Sequence, residues 1–126
     1  MFSHIVIGSN DLPRSKSFYD ALFAAMGGKP GTQNPKGRLV YLHRGGRFMI
    51  TKPLDGRPAT PANGGTIGFT MDSPAEVEAW HKAGVDNGGM AIEDPPGKRQ
   101  GSTGPVYLAY LSDPDGNKLC GVHRMA

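Results

Sequence analysis

The sequence repeats one order of predicted elements, and this repeat restricts the fold more than any other feature. Each half has a strand-like run, then a segment with helical spacing of apolar residues, then further strand-like runs. His4 and Thr66 are 62 residues apart, and so are Phe18 and Trp80. A spacing that recurs in this way is the signature of duplicated units. The sequence therefore predicts two β-α-β-β-β modules in tandem.

Both predicted helices have recognisable ends. Asp11 is suited to cap the start of the first helix, and Asp72 or Ser73 the start of the second. Gly-Gly pairs at 27–28 and 88–89 follow the last apolar positions and favour helix termination. The helices are expected to end at these glycines.

The predicted fold class is α+β, in one domain over residues 1–126. Module one occupies about 1–60 and module two about 61–126. Neither module has enough strands to bury both faces of a sheet alone, so we expect the two to form an open curved sheet. This half-barrel would carry the helices on its outer face and a ligand cavity on its concave side.

Strand alternation assigns side chains to that cavity. His4 in the first strand and Thr66 in the fifth are predicted to face it. In the last strand, Cys120 and His123 are three residues apart and point to opposite sides of the sheet. They are therefore not expected to bind one metal ion together.

A hairpin through residues 113–116 precedes the last strand. We expect this turn to place Ala109 beside Cys120, with Tyr107 on the same face. Tyr107 is then an aromatic wall residue able to stack on a ligand or to hydrogen-bond it. Residues 95–105 are predicted to be a loop, either solvated or closing over an anionic ligand.

Composition excludes several classes of function. The net charge is +3 and the basic residues are scattered, which does not favour nucleic-acid binding. No apolar run is long enough for a membrane span, and the first residues do not resemble a signal peptide. The single cysteine cannot form an internal disulfide. We therefore expect a soluble, cytoplasmic protein.

The duplicated module, the histidine of the first strand and the segment DPDGNKL before the last strand together resemble the vicinal oxygen chelate superfamily. This group contains glyoxalase I, extradiol dioxygenases and bleomycin resistance proteins. The resemblance covers essentially the whole chain. It implies an open cavity, often completed in a homodimer, where metal-using members hold a divalent cation. Their ligands, typically His or Glu, come from the first and fourth strands of each module.

Carried onto this chain, the four ligand positions fall on His4, Met49, Thr66 and Cys120. Only His4 is of the type that metal-using members have. A thioether and a neutral hydroxyl hold hard or borderline cations poorly. We therefore predict no metal and no cofactor, with these four residues and Tyr107 contacting a small-molecule ligand. Catalytic residues stay unassigned.

Three functions stay open at this point. The first is a binding or sequestering protein, or a metal-free lyase or isomerase, with a degenerate metal site. The second is a metal-dependent lyase or dioxygenase with an atypical ligand set. The third is a structural or regulatory module whose cavity is filled by side chains. For the first two we expect a homodimer that binds a small molecule, without nucleic-acid or membrane partners.

Overall fold

The computed structural model of the chain describes residues 1–125 and contains the expected element order twice. Module one consists of β1 (Ile5–Gly8), α1 (Leu12–Ala25), β2 (Thr32–Gln33), β3 (Leu39–His43) and β4 (Gly46–Thr51). Module two consists of β5 (Ile67–Thr70), α2 (Pro74–Asp86), β6 (Met90–Gly101), β7 (Gly104–Ser112) and β8 (Lys118–Arg124). The predicted α+β class and the tandem modules are confirmed.

Each module forms one four-stranded sheet that stays open. The strand orders are β1-β4-β3-β2 and β5-β8-β7-β6. The first strand of each module pairs in parallel with its last strand, and the other pairs are antiparallel. The parallel pair requires a crossover, and the helix of each module supplies it. As a result β1 and β5 are both edge strands.

The prediction of a loop over residues 95–105 is wrong. Most of this segment belongs to a hairpin in which β6 extends to Gly101 and β7 begins at Gly104. The register between these strands shifts between Ile92 and Gly97, so the Pro-Pro pair lies in an irregularity inside the strand. Proline is tolerated at such bulges because no ladder hydrogen bond is required there. Strand β2 was not predicted either, because two residues are too few to show an alternation of apolar and polar side chains.

The predicted helix ends are largely confirmed. The Asp11 side chain accepts a hydrogen bond from Arg14 N, and the Ser73 side chain accepts one from Glu76 N. Ser73, and not Asp72, is therefore the cap of α2. Both helices start next to a proline, which is favoured in the first turn.

The two modules share one buried core. Trp80, Phe18 and Tyr19 are fully buried within it. The rings of Phe23 and Phe69, one from each module, meet edge-on at 5.9 Å. The helices also pack on each other, so the apolar face of each sheet is covered by both modules together.

The turn between β3 and β4 binds the start of the helix in the other module. The Arg44 guanidinium donates to Asp72 Oδ2 and Glu76 Oε1 at 2.8 Å each, and to the Thr70 carbonyl at 2.8 Å. Arg44 adopts a positive φ of 49°, which is uncommon for a residue with a side chain. These contacts connect module one to module two at one end of the core.

The β7–β8 loop makes the reciprocal contact. Asp115 accepts hydrogen bonds from Arg14 Nη2 at 2.9 Å and from the Asn10 amide at 3.0 Å, both at the start of α1. Asp113 accepts one from the Tyr19 hydroxyl at 2.6 Å. Each module therefore attaches to the helix start of the other.

Within residues 1–125, no helix combines the length and the apolar character that a membrane crossing needs.

Candidate functional site

Each sheet has a helix-side face, buried in the core, and an opposite face that we call the open face. In module one, register pairs Val6 with Met49 and Val40 with Met49, so these three side chains lie on the open face. In module two, Gly68 pairs with Cys120, and Cys120 pairs with Tyr110. Met49 and Cys120 are thus placed on open faces, but in different sheets.

The open face of module two carries an apolar cluster. Its members are Val106, Leu108 and Cys120, with Tyr110 and Val122 packed against them. Cys120 is 7% exposed although no helix covers this face. The neighbouring side chains shield it, and together they form an apolar surface on this face.

Tyr107 is not part of this cluster, so the prediction that it shares the face of Cys120 is wrong. Tyr107 pairs with His123 and packs on the helix-side core. Its hydroxyl donates a hydrogen bond to Glu78 Oε1 of α2 at 2.8 Å. The aromatic residue that does lie beside Cys120 is Tyr110.

The error has a definite cause in the β7–β8 connection. Ser112 pairs with Lys118, so the loop comprises residues 113–117 and is one residue longer than the predicted turn. The Asp113 carboxylate accepts hydrogen bonds from the backbone amides of Asp115 and Asn117, both at 2.9 Å, and this holds the extra residue. A register change of one residue moves every side chain of the strand to the other face.

His4 and Thr66 lie just before β1 and β5 and are both exposed. The only hydrogen bond of the His4 ring within residues 1–125 joins its Nδ1 to the Ser3 hydroxyl at 2.6 Å. Within residues 1–125 the backbones of the two sheets are not adjacent, and the sheets meet through core side chains such as Phe48 and Phe69. Met49 and Cys120 face away from that core, so the chain does not bring them into one cavity with His4 and Thr66. A shared hollow would require surfaces beyond those of one chain.

The thiol of Cys120 is protonated at neutral pH. Burial raises its pKa to about 11, and the Glu93 carboxylate acts in the same direction, while Tyr110 and Lys118 oppose the shift. A protonated thiol is neither a good nucleophile nor a good metal ligand. Cys120 is therefore packing or ligand-contacting in this state.

This state predicts slow alkylation of Cys120. At pH 8 a pKa of about 11 leaves roughly a thousandth of the thiol ionised, against about a quarter at the unperturbed pKa of 8.5. We expect iodoacetamide to modify the native chain at least about 100-fold more slowly than the urea-unfolded chain, with the native rate still rising above pH 9. Mass spectrometry measures both rates. Equal rates at pH 8 would show an accessible, ionised thiol.

A polar group borders the apolar cluster. The Lys118 ammonium forms an ion pair with Glu93 and lies 4.5 Å from the centre of the Tyr110 ring. Glu93 has a positive φ of 58° within the irregular part of β6. Glu93 was not predicted as a neighbour of this cluster, because its position depends on that irregularity.

The donor set does not fit the divalent metal of metal-using members. Within residues 1–125, no three residues among His, Cys, Asp and Glu are arranged to hold a metal ion. The corresponding positions offer one imidazole, a thioether, a hydroxyl and a protonated thiol, from His4, Met49, Thr66 and Cys120. A borderline cation prefers imidazole, carboxylate or thiolate.

A separate cavity of about 230 Å³ lies between the modules. Its walls are mostly helix-side residues, and none of the five predicted site residues lines it. His43 is partly buried in its wall and packs edge-on against Phe23. Burial and then the Arg44 cation lower the pKa of His43, which favours the neutral ring.

Comparison with known proteins settles the family. The family model of the Glyoxalase/Bleomycin resistance protein/Dioxygenase superfamily matches residues 1–120. The chain belongs to this superfamily. It is 52% identical to a glyoxalase/bleomycin resistance protein from Albidiferax ferrireducens T118, with 98% of this chain and 99% of that chain covered and a TM-score of 0.94. No curated protein matches the chain.

Solved structures of lower sequence identity share the fold. A glyoxalase-related enzyme from Fulvimarina pelagi is 21% identical, covering 98% of this chain and 88% of that chain with a TM-score of 0.73. The hypothetical protein SA1046 from S. aureus is 18% identical, covering 98% and 94% with a TM-score of 0.75. At these identities the likeness concerns the fold and not the activity.

Proposed function

We propose that this superfamily member binds a small, mostly apolar molecule on the open faces of its sheets and holds it without a metal ion. The observation that supports this most is Cys120, a protonated thiol inside an apolar cluster, at a position where metal-using members typically have His or Glu. The simplest function for such a surface is to sequester the molecule. A metal-free lyase or isomerase would use the same surface.

A second copy of the chain would complete the site. The open face of module one exposes Val6 at 41% and Leu42 at 63%. Contiguous apolar side chains on a regular sheet face are usually covered in an assembly. In a homodimer, His4 and Met49 of one copy would face Thr66 and Cys120 of the other across the ligand.

A thermal-shift screen of apolar metabolites on purified protein tests ligand binding. A ligand at 100 times its dissociation constant stabilises the folded protein by about 2.7 kcal/mol. We expect this shift to disappear in Leu108→Trp, which fills the open face of module two. The matched control is Val85→Trp, because Val85 is 43% exposed on α2, away from the open faces. A hit that stabilises both variants equally would place the ligand elsewhere.

The same preparation decides between the metal-free and metal-dependent functions. We expect elemental analysis to find no stoichiometric Ni, Zn, Fe or Mn in protein purified without chelators. A stoichiometric metal that is lost in His4→Ala would overturn the proposal in favour of a metal-dependent lyase or dioxygenase. Sedimentation velocity on the same sample reports whether the protein is a homodimer.

A further inference from the structure

We infer that the cavity between the modules is a second small-molecule site, and that it takes a small aromatic carboxylate. The cavity has its walls on the helix side of the sheets, opposite the face that carries Cys120, and Gly68 of β5, the register partner of Cys120, forms part of its lining. Its body is apolar, with walls formed by Ile5, Phe23, Met26, Phe48, Ile67 and Phe69. A volume of about 230 Å³ exceeds the roughly 150 Å³ that holds benzene in an apolar cavity. One ring with a carboxylate group therefore fits.

The charge of the cavity lining selects the sign of the ligand's charge. The lining contains Arg44 and Arg47 and no acidic residue. The Arg44 guanidinium is committed to Asp72 and Glu76. Arg47 lines the same cavity and forms no ion pair within residues 1–125. Its side chain leaves β4 on the open face, beside Leu42, so its charge lies at the rim of the cavity and not among the apolar walls. An apolar cavity with an unpaired cation at its mouth favours a monoanion with an apolar body.

A backbone donor lies at the same place. Successive residues of a strand direct their amide and carbonyl groups to alternate edges. Met71 N donates to Val122 O of β8, whereas the Thr70 carbonyl accepts from Arg44 on the other side. The N–H of Gly68, two residues before Thr70, therefore points to the open edge of β5. It has no hydrogen-bond partner within residues 1–125.

Gly68 also leaves this donor accessible. A Cβ built at Gly68 would point to the open face and meets no atom within 4 Å, so no side chain covers the backbone from that side. A carboxylate oxygen at the cavity mouth can accept from Gly68 N–H while the ring packs between Phe48 and Phe69. Hydrogen bonds from an amide to a charged acceptor are stronger than those between neutral groups.

An NMR titration with benzoate tests this site directly. We expect saturable shifts of the Gly68 amide and of the Ile67 and Phe69 signals. Benzyl alcohol, which has the same ring without the charge, should bind at least about tenfold more weakly. Equal binding of the two compounds, or shifts of Val106, Leu108 and Cys120 without shifts of Phe69, would overturn the proposal.

Two substitutions at one position isolate the amide donor. Gly68→Ala keeps the N–H and fits the open space, so benzoate should bind within about threefold of wild type. Gly68→Pro removes the N–H and adds a ring that fixes φ, and an edge strand tolerates proline where the N–H faces outward. We expect Gly68→Pro to bind about tenfold more weakly than Gly68→Ala, judged from the Phe69 signals. Equal affinity of the two variants would exclude the amide as donor.

Discussion

Asp113→Ala should lower the free energy of unfolding by about 4 kcal/mol. The Asp113 side chain is 5% exposed and accepts four hydrogen bonds. One comes from the fully buried Tyr19 hydroxyl, and two come from the backbone amides that fix the β7–β8 loop. Alanine would leave these donors without acceptors. Unpaired buried donors each cost about 1–3 kcal/mol.

Urea unfolding of the variant against wild type measures the effect. The matched control is Asp55→Ala, which removes an acid from an exposed loop where it accepts only the Arg57 amide. We expect the control to stay within about 0.5 kcal/mol of wild type. Tyr19→Phe removes one of the four bonds and should have an intermediate effect. If Asp113→Ala were as stable as the control, the loop would not depend on this carboxylate.

Gly121→Val should destabilise the protein by about 3 kcal/mol, because the core has no room for a side chain there. A Cβ built at Gly121 lies 2.8 Å from Cε3 and 3.0 Å from Cζ3 of Trp80. Trp80 is fully buried and its ring cannot move without displacing Phe69, which packs against it at 6.3 Å.

The control for this substitution is Gly68→Val in the neighbouring strand. Valine is favoured in strands, and Gly68 has open space at its Cβ, so this variant should match or exceed the wild-type stability. A second test combines Gly121→Ala with Trp80→Phe. The smaller ring should make the alanine less costly than it is beside Trp80, which a double-mutant cycle detects. Additive effects would mean that the two residues do not compete for space.

The fold was predictable because its main signals are local and occur twice. The helix caps at Asp11 and Ser73, and the glycines after each helix, mark element ends that depend on a few neighbouring residues. The recurrence of Phe18 as Trp80 then adds evidence for the order of elements. The irregular part of β6 was not predictable. It contains Pro95 and Pro96, and proline occurs in loops far more often than in strands.

The candidate site was predictable only in part, and register explains the difference. The assignment of Cys120 to the face opposite Gly121 needed alternation within one strand, and it was correct. The assignment of Tyr107 needed the length of the loop before that strand, which depends on hydrogen bonds to Asp113. Sequence alone also could not pair Lys118 with Glu93, because that contact spans two strands and a bulge.

The reciprocal contacts between the modules also control which halves can associate. Arg14 and Glu76 are 62 residues apart and so occupy matching places in the two helices. Arg44 binds Glu76, while Asp115 binds Arg14, so the two contacts have opposite polarity. Two copies of module one packed in this way would oppose Arg44 to Arg14, and two copies of module two would oppose Asp115 to Glu76. Two copies of the same module would therefore repel each other at these contacts, and this favours the pairing of module one with module two during folding.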